Sequence, residues 1–485
     1  MKGGVILFRG TGADALRYLE TDRSRADEYY LEAGTALAEF TAVDAGGQIV
    51  GEVALTADEY RQWVDWVNPL TGESMGKPRL PGDGRRGSPR FAEMVVNVPK
   101  SLSIAAALHA VVSEALDAAQ RDAVAEIRSW LGQHSVTRVG PRGKQEVVPV
   151  EQLETVAVSH KTSRAGDPHR HIHFQIGTRV WAAGKWRGLD TAALFRQQGA
   201  IRALGTAILA AHPQLAAVLD AHGLTLDSVT GEVAELEPWN ALMSKRGAQV
   251  GRNLEKFTAE WEAAHPGVEP GPVVRARLHA KAWDHERPNK KPSTLGSEAG
   301  WLRELQEAGY TPDLPRATMQ PARTLDELAV QQVASRALDR TAAAASAWTV
   351  HDVQEQVAHI VTEAGVRATP DELREFIGIT TRLAADDCLS ILPPGAPTPE
   401  HVAHLTTLHV VAVETELRDR LAARATVRAT GATPTVREPG LRMPRISMHM
   451  CSHSSTTITP RAPSCASSRS AICDVSLSCT CGRRA

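Results

Sequence analysis

Hydrophobic and polar positions alternate in three short stretches of the first half of the chain and return at helical spacing through much of the second. Phe91-Ala92-Glu93-Met94-Val95-Val96-Asn97-Val98 reads as a strand ended by Pro99, which cannot donate to a ladder. Ser101 is placed to cap a following helix, from Ile104 to about Trp130. Leu153 to His160 reads as a second strand, with Val156, Val158 and His160 on one face. His169 to Val180 reads as a third. The stretch Lys161 to Pro168 between them is rich in turn residues, which predicts an antiparallel hairpin. Thr191 to Leu219 reads as a helix broken or bent at Pro213.

A linker, Arg287-Pro288-Asn289-Lys290-Lys291-Pro292-Ser293-Thr294, precedes a region of almost pure helical pattern at 324–430. Three helix starts are signed there: Thr324 with Glu327, Thr369-Pro370 with Glu372, and Thr398-Pro399-Glu400. From Pro444 the periodicity stops, and the tail is rich in Ser, Arg and Cys with Asp474 as its one acidic residue. It reads as disordered. Cys479-Thr480-Cys481 does not have the spacing of a zinc pair. The abrupt shift near position 442 is what loss of the reading frame would produce. The expected class is therefore α+β, an antiparallel sheet flanked by helices. A mostly helical region and a disordered tail follow, with boundaries at 1–300, 301–440 and 441–485.

The 485 residues allow about three domains at roughly 150 residues each. A balance of 54 Lys+Arg against 56 Asp+Glu excludes a wholly basic, histone-like binder but leaves room for a local basic groove. No apolar run approaches the ~18 residues of a membrane helix, so a cytoplasmic protein without membrane insertion is expected. Of 5 Tyr, three (Tyr18, Tyr29 and Tyr30) fall in the first 30 positions.

The strongest chemistry lies at His160 and His171-Ile172-His173. On a strand His171, His173 and Gln175 share one face, and Ile172, Phe174 and Ile176 share the other. The hairpin brings His160 alongside. Three neutral imidazoles suit a divalent ion such as Zn, Mn, Ni or Co, with positions left open for substrate. The bland alternative is solvent-facing histidine on a half-exposed strand. Alternation with Ile and Phe, and a third His across the hairpin, weigh against it. His169 follows Pro168 at the turn and reads as supporting or solvent-facing rather than ligating. Tyr18 lies in a helix that starts near Thr11, and Tyr29-Tyr30 in a second helical stretch. A phenol with a pKa near about 10 is a weak nucleophile unless a base or a metal assists it.

Taken in order, Tyr18 with Tyr29-Tyr30, the strand-to-helix element at Pro99-Lys100-Ser101-Leu102-Ser103 and the His-x10-His-x-His cluster resemble the conjugative relaxases of the TrwC (MobF) type. These belong to the endonucleases with paired histidines around a hydrophobic residue, the HUH class. The resemblance covers roughly residues 1–290. It implies a palm-like relaxase fold and site-specific, strand-specific nicking and strand transfer at an origin of transfer. Tyr18 would be the nucleophile that stays joined to the DNA 5′ end. Tyr29, with Tyr30 beside it, would act in a second transfer. His160, His171 and His173 would hold the metal (Mg, Mn, Zn, Ni or Co). Glu93 stands where the family has an Asp, one methylene shorter, that assists the tyrosine and orients a ligand. Leu19 stands where the family often has another Tyr, which leaves Tyr18 alone on its helix.

Single-stranded DNA at an origin of transfer is the implied substrate, with accessory transfer proteins and a coupling protein as partners. Basic candidates for the DNA backbone are Arg79, Arg85, Arg86 and Arg90 in the 77–90 loop, Lys100, and Arg179, Lys185 and Arg187 after the histidine strand. Trp181 and Trp186 are interleaved there and suit either base stacking or core packing. Family members commonly carry a helicase behind the relaxase. The Gly-x4-Gly-Lys-Ser/Thr loop it would need is missing, so no nucleotide is expected and 301–440 reads as a connector leading towards an absent motor. Two alternatives remain from the residues: a rolling-circle initiator or transposase with the same chemistry, and a truncated remnant that binds single strands without cutting.

Overall fold

The computed structural model describes residues 4–429 apart from 23–36, 81, 83–85, 228, 287–296, 313–316, 318–321 and 397. Tyr29, Tyr30, Arg85 and the Cys-rich tail lie outside the described residues. Residues Met1–Leu408 form one compact unit and His409–Ala485 a second. In the second, α13 (Leu408–Ala429) is the described element.

The first unit is built on one fully antiparallel sheet in the order β1-β4-β8-β7-β2-β3, with β9 added beside β8. The strands are β1 (Ile6–Phe8), β2 (Ala38–Asp44), β3 (Ile49–Leu55), β4 (Phe91–Asn97), β7 (Gln152–Thr162), β8 (Pro168–Ala182) and β9 (Lys185–Gly188). β5 (Val136–Val139) and β6 (Glu146–Pro149) form a separate hairpin. A two-residue pair, β10 (Leu389–Ser390) and β11 (Leu405–Thr406), closes the list of strands. This is the α+β antiparallel class that the alternation predicts.

Helices cover both faces of the sheet. On one face lie α1 (Gly12–Asp22) and α2 (Ala57–Val64), whose Ala15, Leu19, Tyr60, Trp63 and Val64 pack with Phe40, Phe91, Val156 and Val158. Phe91, Val156 and Val158 belong to the strand set that also presents Glu93 and His160. On the other face lie α3 (Lys100–Leu108) and α4 (Ala110–His134), joined to the sheet by Gln120 Nε2 donating to the Val96 carbonyl at 3.1 Å and Arg128 Nε to Thr155 Oγ1 at 3.0 Å. Behind α4 lie α5 (Thr191–Ala211) and α6 (Pro213–Ala221), which are bent by 44° at the expected proline. Among the described residues no single helix is long and apolar enough to cross a membrane.

The remaining helices are α7 (Lys245–Ala264), α8 (Pro272–Asp284), α9 (Ser297–Glu307), α10 (Val330–Ala344), α11 (Val350–Glu363) and α12 (Pro370–Asp386). α11 packs on α5, so helices from beyond residue 300 belong to the same compact unit as the sheet.

Three local expectations change. The helix expected from Ile104 to Trp130 is two helices, because His109 adopts an extended backbone between α3 and α4. Ser101 lies inside α3 and does not cap it. Its hydroxyl donates to Glu232 Oε2 at 2.6 Å and accepts from the Val233 N–H at 2.5 Å. Thr398-Pro399-Glu400 opens a turn rather than a helix, and α13 starts later, at Leu408. Thr369 makes the full capping box with Glu372, as the spacing predicts. Thr324 makes its box with Glu327 on a single 3-10 turn.

Candidate active site

The β7–β8 hairpin positions the histidines. Ser163 to Asp167 forms its turn, with the Ser163 N–H donating to the Asp167 carbonyl at 2.9 Å and the Gly166 N–H to the Ser163 carbonyl at 3.0 Å. Gly166 sits at φ 82°, in the left-handed region that glycine enters without a Cβ penalty. The register that results sets His160 opposite His171 and Val158 opposite His173. On the other side of β8, β4 sets Val95 opposite His173 and Glu93 opposite Gln175. Directly opposed residues share a face, so His160, His171, His173, Gln175 and Glu93 all project the same way.

The three imidazoles form a tight cluster. Ring centroids are 5.4 Å apart for His160 and His171, 5.1 Å for His160 and His173, and 5.1 Å for His171 and His173. His160 and His173 are buried. The tautomers of two rings follow from their neighbours. His171 Nδ1–H donates to the His169 carbonyl at 2.9 Å, an atom that can only accept. Glu93 Oε1 lies 3.1 Å from His173 Nδ1, which puts the proton on that nitrogen too. In both rings Nε2 is then the unprotonated nitrogen. Burial, followed by the neighbouring imidazoles, holds His171 well below its ordinary pKa, so it stays neutral. Clustered imidazoles, with His171 held neutral, are a donor set that a divalent metal takes, so the residues fit the expected ion. His169 contributes a backbone carbonyl. Burial, Lys100 and His173 push its own ring down to about 3.

Glu93 is one link in a buried chain. Tyr60 Oη–H donates to Gln175 Oε1 at 2.9 Å, Gln175 Nε2 donates to Glu93 Oε2 at 3.1 Å, and Glu93 meets His173. Burial works to raise the Glu93 carboxyl, but His173, Gln175 and His160 together leave it below its usual value. Burial pushes the Tyr60 hydroxyl up, out of the physiological range. The extra methylene of Glu thus still spans the gap to His173. Neither Tyr60 nor Gln175 was marked by sequence reasoning as part of the site, although Gln175 sits on the histidine face by strand parity.

Tyr18 comes from α1, whose start is held by Thr11 and Asp14. The Asp14 N–H donates to Thr11 Oγ1 at 3.2 Å, and the Thr11 N–H donates to Asp14 Oδ2 at 2.9 Å. Its ring meets His173 edge-on, with centroids 6.1 Å apart. The Arg164 guanidinium lies 5.9 Å from the centroid of the same ring. Arg164 lies in the turn-rich stretch between the two strands, where the sequence gives no sign of a role for it.

The basic candidates divide. Arg79, Arg86 and Lys185 are exposed. Arg90 is not available to DNA: its side chain is buried, 3.2 Å from Asp65 Oδ1 and 5.7 Å from the Trp66 ring. Arg179 is committed in the same way, donating to the Met75 and Trp186 carbonyls at 2.8 and 2.7 Å and stacked 4.9 Å from Trp66. Arg187 donates to the Ala182 carbonyl at 2.8 Å. Lys100 Nζ donates to the Pro168 carbonyl at 2.7 Å, where burial lowers its pKa to about 8 against the pull of Asp167 and Glu232. These cations hold the fold around the site. Trp181 and Trp186 meet edge-on at 5.6 Å and line a cleft of about 300 Å³ with Asn68, Leu70 and Thr71.

The TrwC relaxase family model matches residues 12–308. The chain belongs to the TrwC relaxase family. As a TrwC-type relaxase it is a DNA-nicking enzyme, and the matched span contains Tyr18, Glu93 and all three clustered histidines. Among solved structures, it is similar to TrwC complexed with a 27-mer DNA comprising the recognition hairpin and the cleavage site. That likeness is 22% identical over 64% of this chain and 100% of that one, with a TM-score of 0.45. A metal-bound TrwC–oriT complex is 20% identical over 64% and 99% of the two chains (TM-score 0.44). A copper-bound one is 20% identical over 64% and 100% (TM-score 0.45). No curated protein matches the chain. The assignment rests on the family model.

Proposed function

We propose that this relaxase cuts and rejoins one DNA strand at an origin of transfer through Tyr18, opposite a metal held by His160, His171 and His173. The observation that carries the reading is the meeting of the Tyr18 ring with His173, inside a histidine cluster whose rings are oriented by Glu93 and the His169 carbonyl. The bound ion would supply Lewis-acid stabilisation of charge on the scissile phosphate. The phenolic oxygen of Tyr18 attacks phosphorus in line, a new P–O bond to the tyrosine forms, and the bond to the 3′ oxygen breaks. The phenolic proton passes to solvent water, and the leaving 3′ oxygen takes a proton from water. The 5′-phosphotyrosine is a diester like the original, so the step is reversible and suits strand transfer rather than degradation. Arg164, beside the Tyr18 ring, is positioned to offset phosphate charge. Glu93 acts chiefly by holding His173. Tyr29, with Tyr30 beside it, is proposed for the second transfer.

Residues 1–300 would carry this chemistry on single-stranded DNA, with accessory transfer proteins and a coupling protein delivering it. The helices of 301–440 would form the connector behind it. A single-stranded oligonucleotide carrying the native transfer origin, incubated with Mn, Zn, Ni, Co or Mg, tests the proposal. A covalent protein–DNA adduct is expected from the parent and none from Tyr18→Phe. Undiminished adduct in Tyr18→Phe would place the nucleophile elsewhere. Binding without any adduct in the parent would make the protein a non-catalytic binder of single strands.

A further inference from the structure

Away from the histidine cluster, three more metal-ligating side chains converge. His134 ends α4, His351 stands in the first turn of α11, and Glu400 lies in the turn after Pro399. One donor atom from each lies within 4.8 Å of the other two. Glu400 Oε2 is 2.7 Å from His134 Nδ1 and 3.4 Å from His351 Nε2. His351 is only 2% exposed, so its ring is fixed in place rather than drifting on a surface. Trp130 walls the group, with its ring 4.5 Å from His134 and 5.0 Å from His351.

We propose that His134, His351 and Glu400 form a second divalent-metal site, of zinc type, which fastens the helices beyond residue 308 to the sheet-bearing part of the unit. Two imidazoles and one carboxylate are a common zinc set, with the fourth position left to water. Tetrahedral ligands at about 2.0–2.2 Å stand roughly 3.4 Å apart. The His351–Glu400 separation already has that value, and the His134–Glu400 pair needs to open by less than the width of an atom. Gln197 Nε2 now lies 3.3 Å from His351 Nε2 and 3.2 Å from the His134 carbonyl. It would yield the first contact to the metal and keep the second. Both His351 and Glu400 lie outside the residues the family model matches, so the site is a property of this chain's own helical region.

The competing arrangement is a metal-free clasp of His–Glu hydrogen bonds, and metal content separates the two. The full-length triple variant His160→Ala/His171→Ala/His173→Ala removes the first site. It is loaded with Zn2+, desalted and assayed for bound zinc, then compared with the same protein carrying His134→Gln and Glu400→Gln. Both added positions are solvent-accessible, and matched circular dichroism verifies folding. The expected result is one equivalent of zinc fewer in the quintuple variant, and a zinc-dependent rise in Tm that only the triple variant shows. Equal zinc in the two proteins, or no zinc in either, would overturn the second site and leave the clasp.

Discussion

Tyr60 shows how far from the chemistry a single hydroxyl can act. It is buried, and its one donor serves Gln175, which in turn holds Glu93 against His173. Tyr60→Phe keeps the ring and leaves Gln175 Oε1 without that donor. The expected loss is about 1–3 kcal/mol of stability, read from the denaturant midpoint, with slower nicking. Unchanged stability and rate would mean that Gln175 finds another partner. Glu93→Gln should lower metal affinity by about 10–100-fold, as loss of a ligand's supporting carboxylate does, measured by metal titration. If Glu93 were instead the base, the rate at saturating metal would fall by about 10²–10⁴-fold. The histidines and Tyr18 were legible from spacing and order. Tyr60 and Arg164 were not, because one reaches the site through the packing of α2 and the other through the turn beside α1.

At the level of elements, the hairpin is held at its tip. Trp301 Nε1–H of α9 donates to the Gly166 carbonyl at 2.9 Å, and Lys245 of α7 reaches Glu304 at 2.8 Å and Asp167 at 3.7 Å. Glu154, further down β7, accepts from Trp63 Nε1 at 3.0 Å and Asn68 Nδ2 at 2.8 Å. Burial pushes its carboxyl up to about 8, against those two donors. Between its unfolded value near about 4.3 and 8 the folded state therefore binds the extra proton, and this group makes stability fall as pH rises through that window. Glu154→Gln should flatten the pH dependence of the unfolding free energy from pH 5 to 8, by up to about 1.4 kcal/mol per pH unit. Identical slopes in parent and variant would show that Glu154 is ionised in the fold. Strands with a clean alternation, such as β4 and β8, could be read from the chain. β2 could not: its Phe40 to Val43 run is buried on both faces and carries no period of two. The break at His109 was equally hidden, since no Pro or Gly marks it.

For the whole molecule, net charge predicted little, and the decisive matter is which cations face solvent. Arg79, Arg86 and Lys185 do, whereas Arg90 and Arg179 are spent on internal partners. Removing Arg79 or Lys185 should weaken single-strand binding and reduce the dependence of log K on log salt by about 0.7 per contact. Arg90→Ala should leave that slope unchanged and lower Tm instead. An Arg90 variant with a shallower slope and native Tm would reverse this division. The sequence showed a change of character after residue 300, yet not that α11 would pack on α5, because an amphipathic helix does not name the surface it will cover.

The hairpin origin of the cluster also sets an order of assembly. His160, His171 and His173 meet once a single local turn closes, which costs little chain entropy. Tyr18 must be brought across a loop running from residue 18 to residue 173 before it meets His173. The histidine cluster can therefore form before Tyr18 arrives. If Tyr18 is the nucleophile proposed above, strand cleavage would be withheld during folding until α1 has docked.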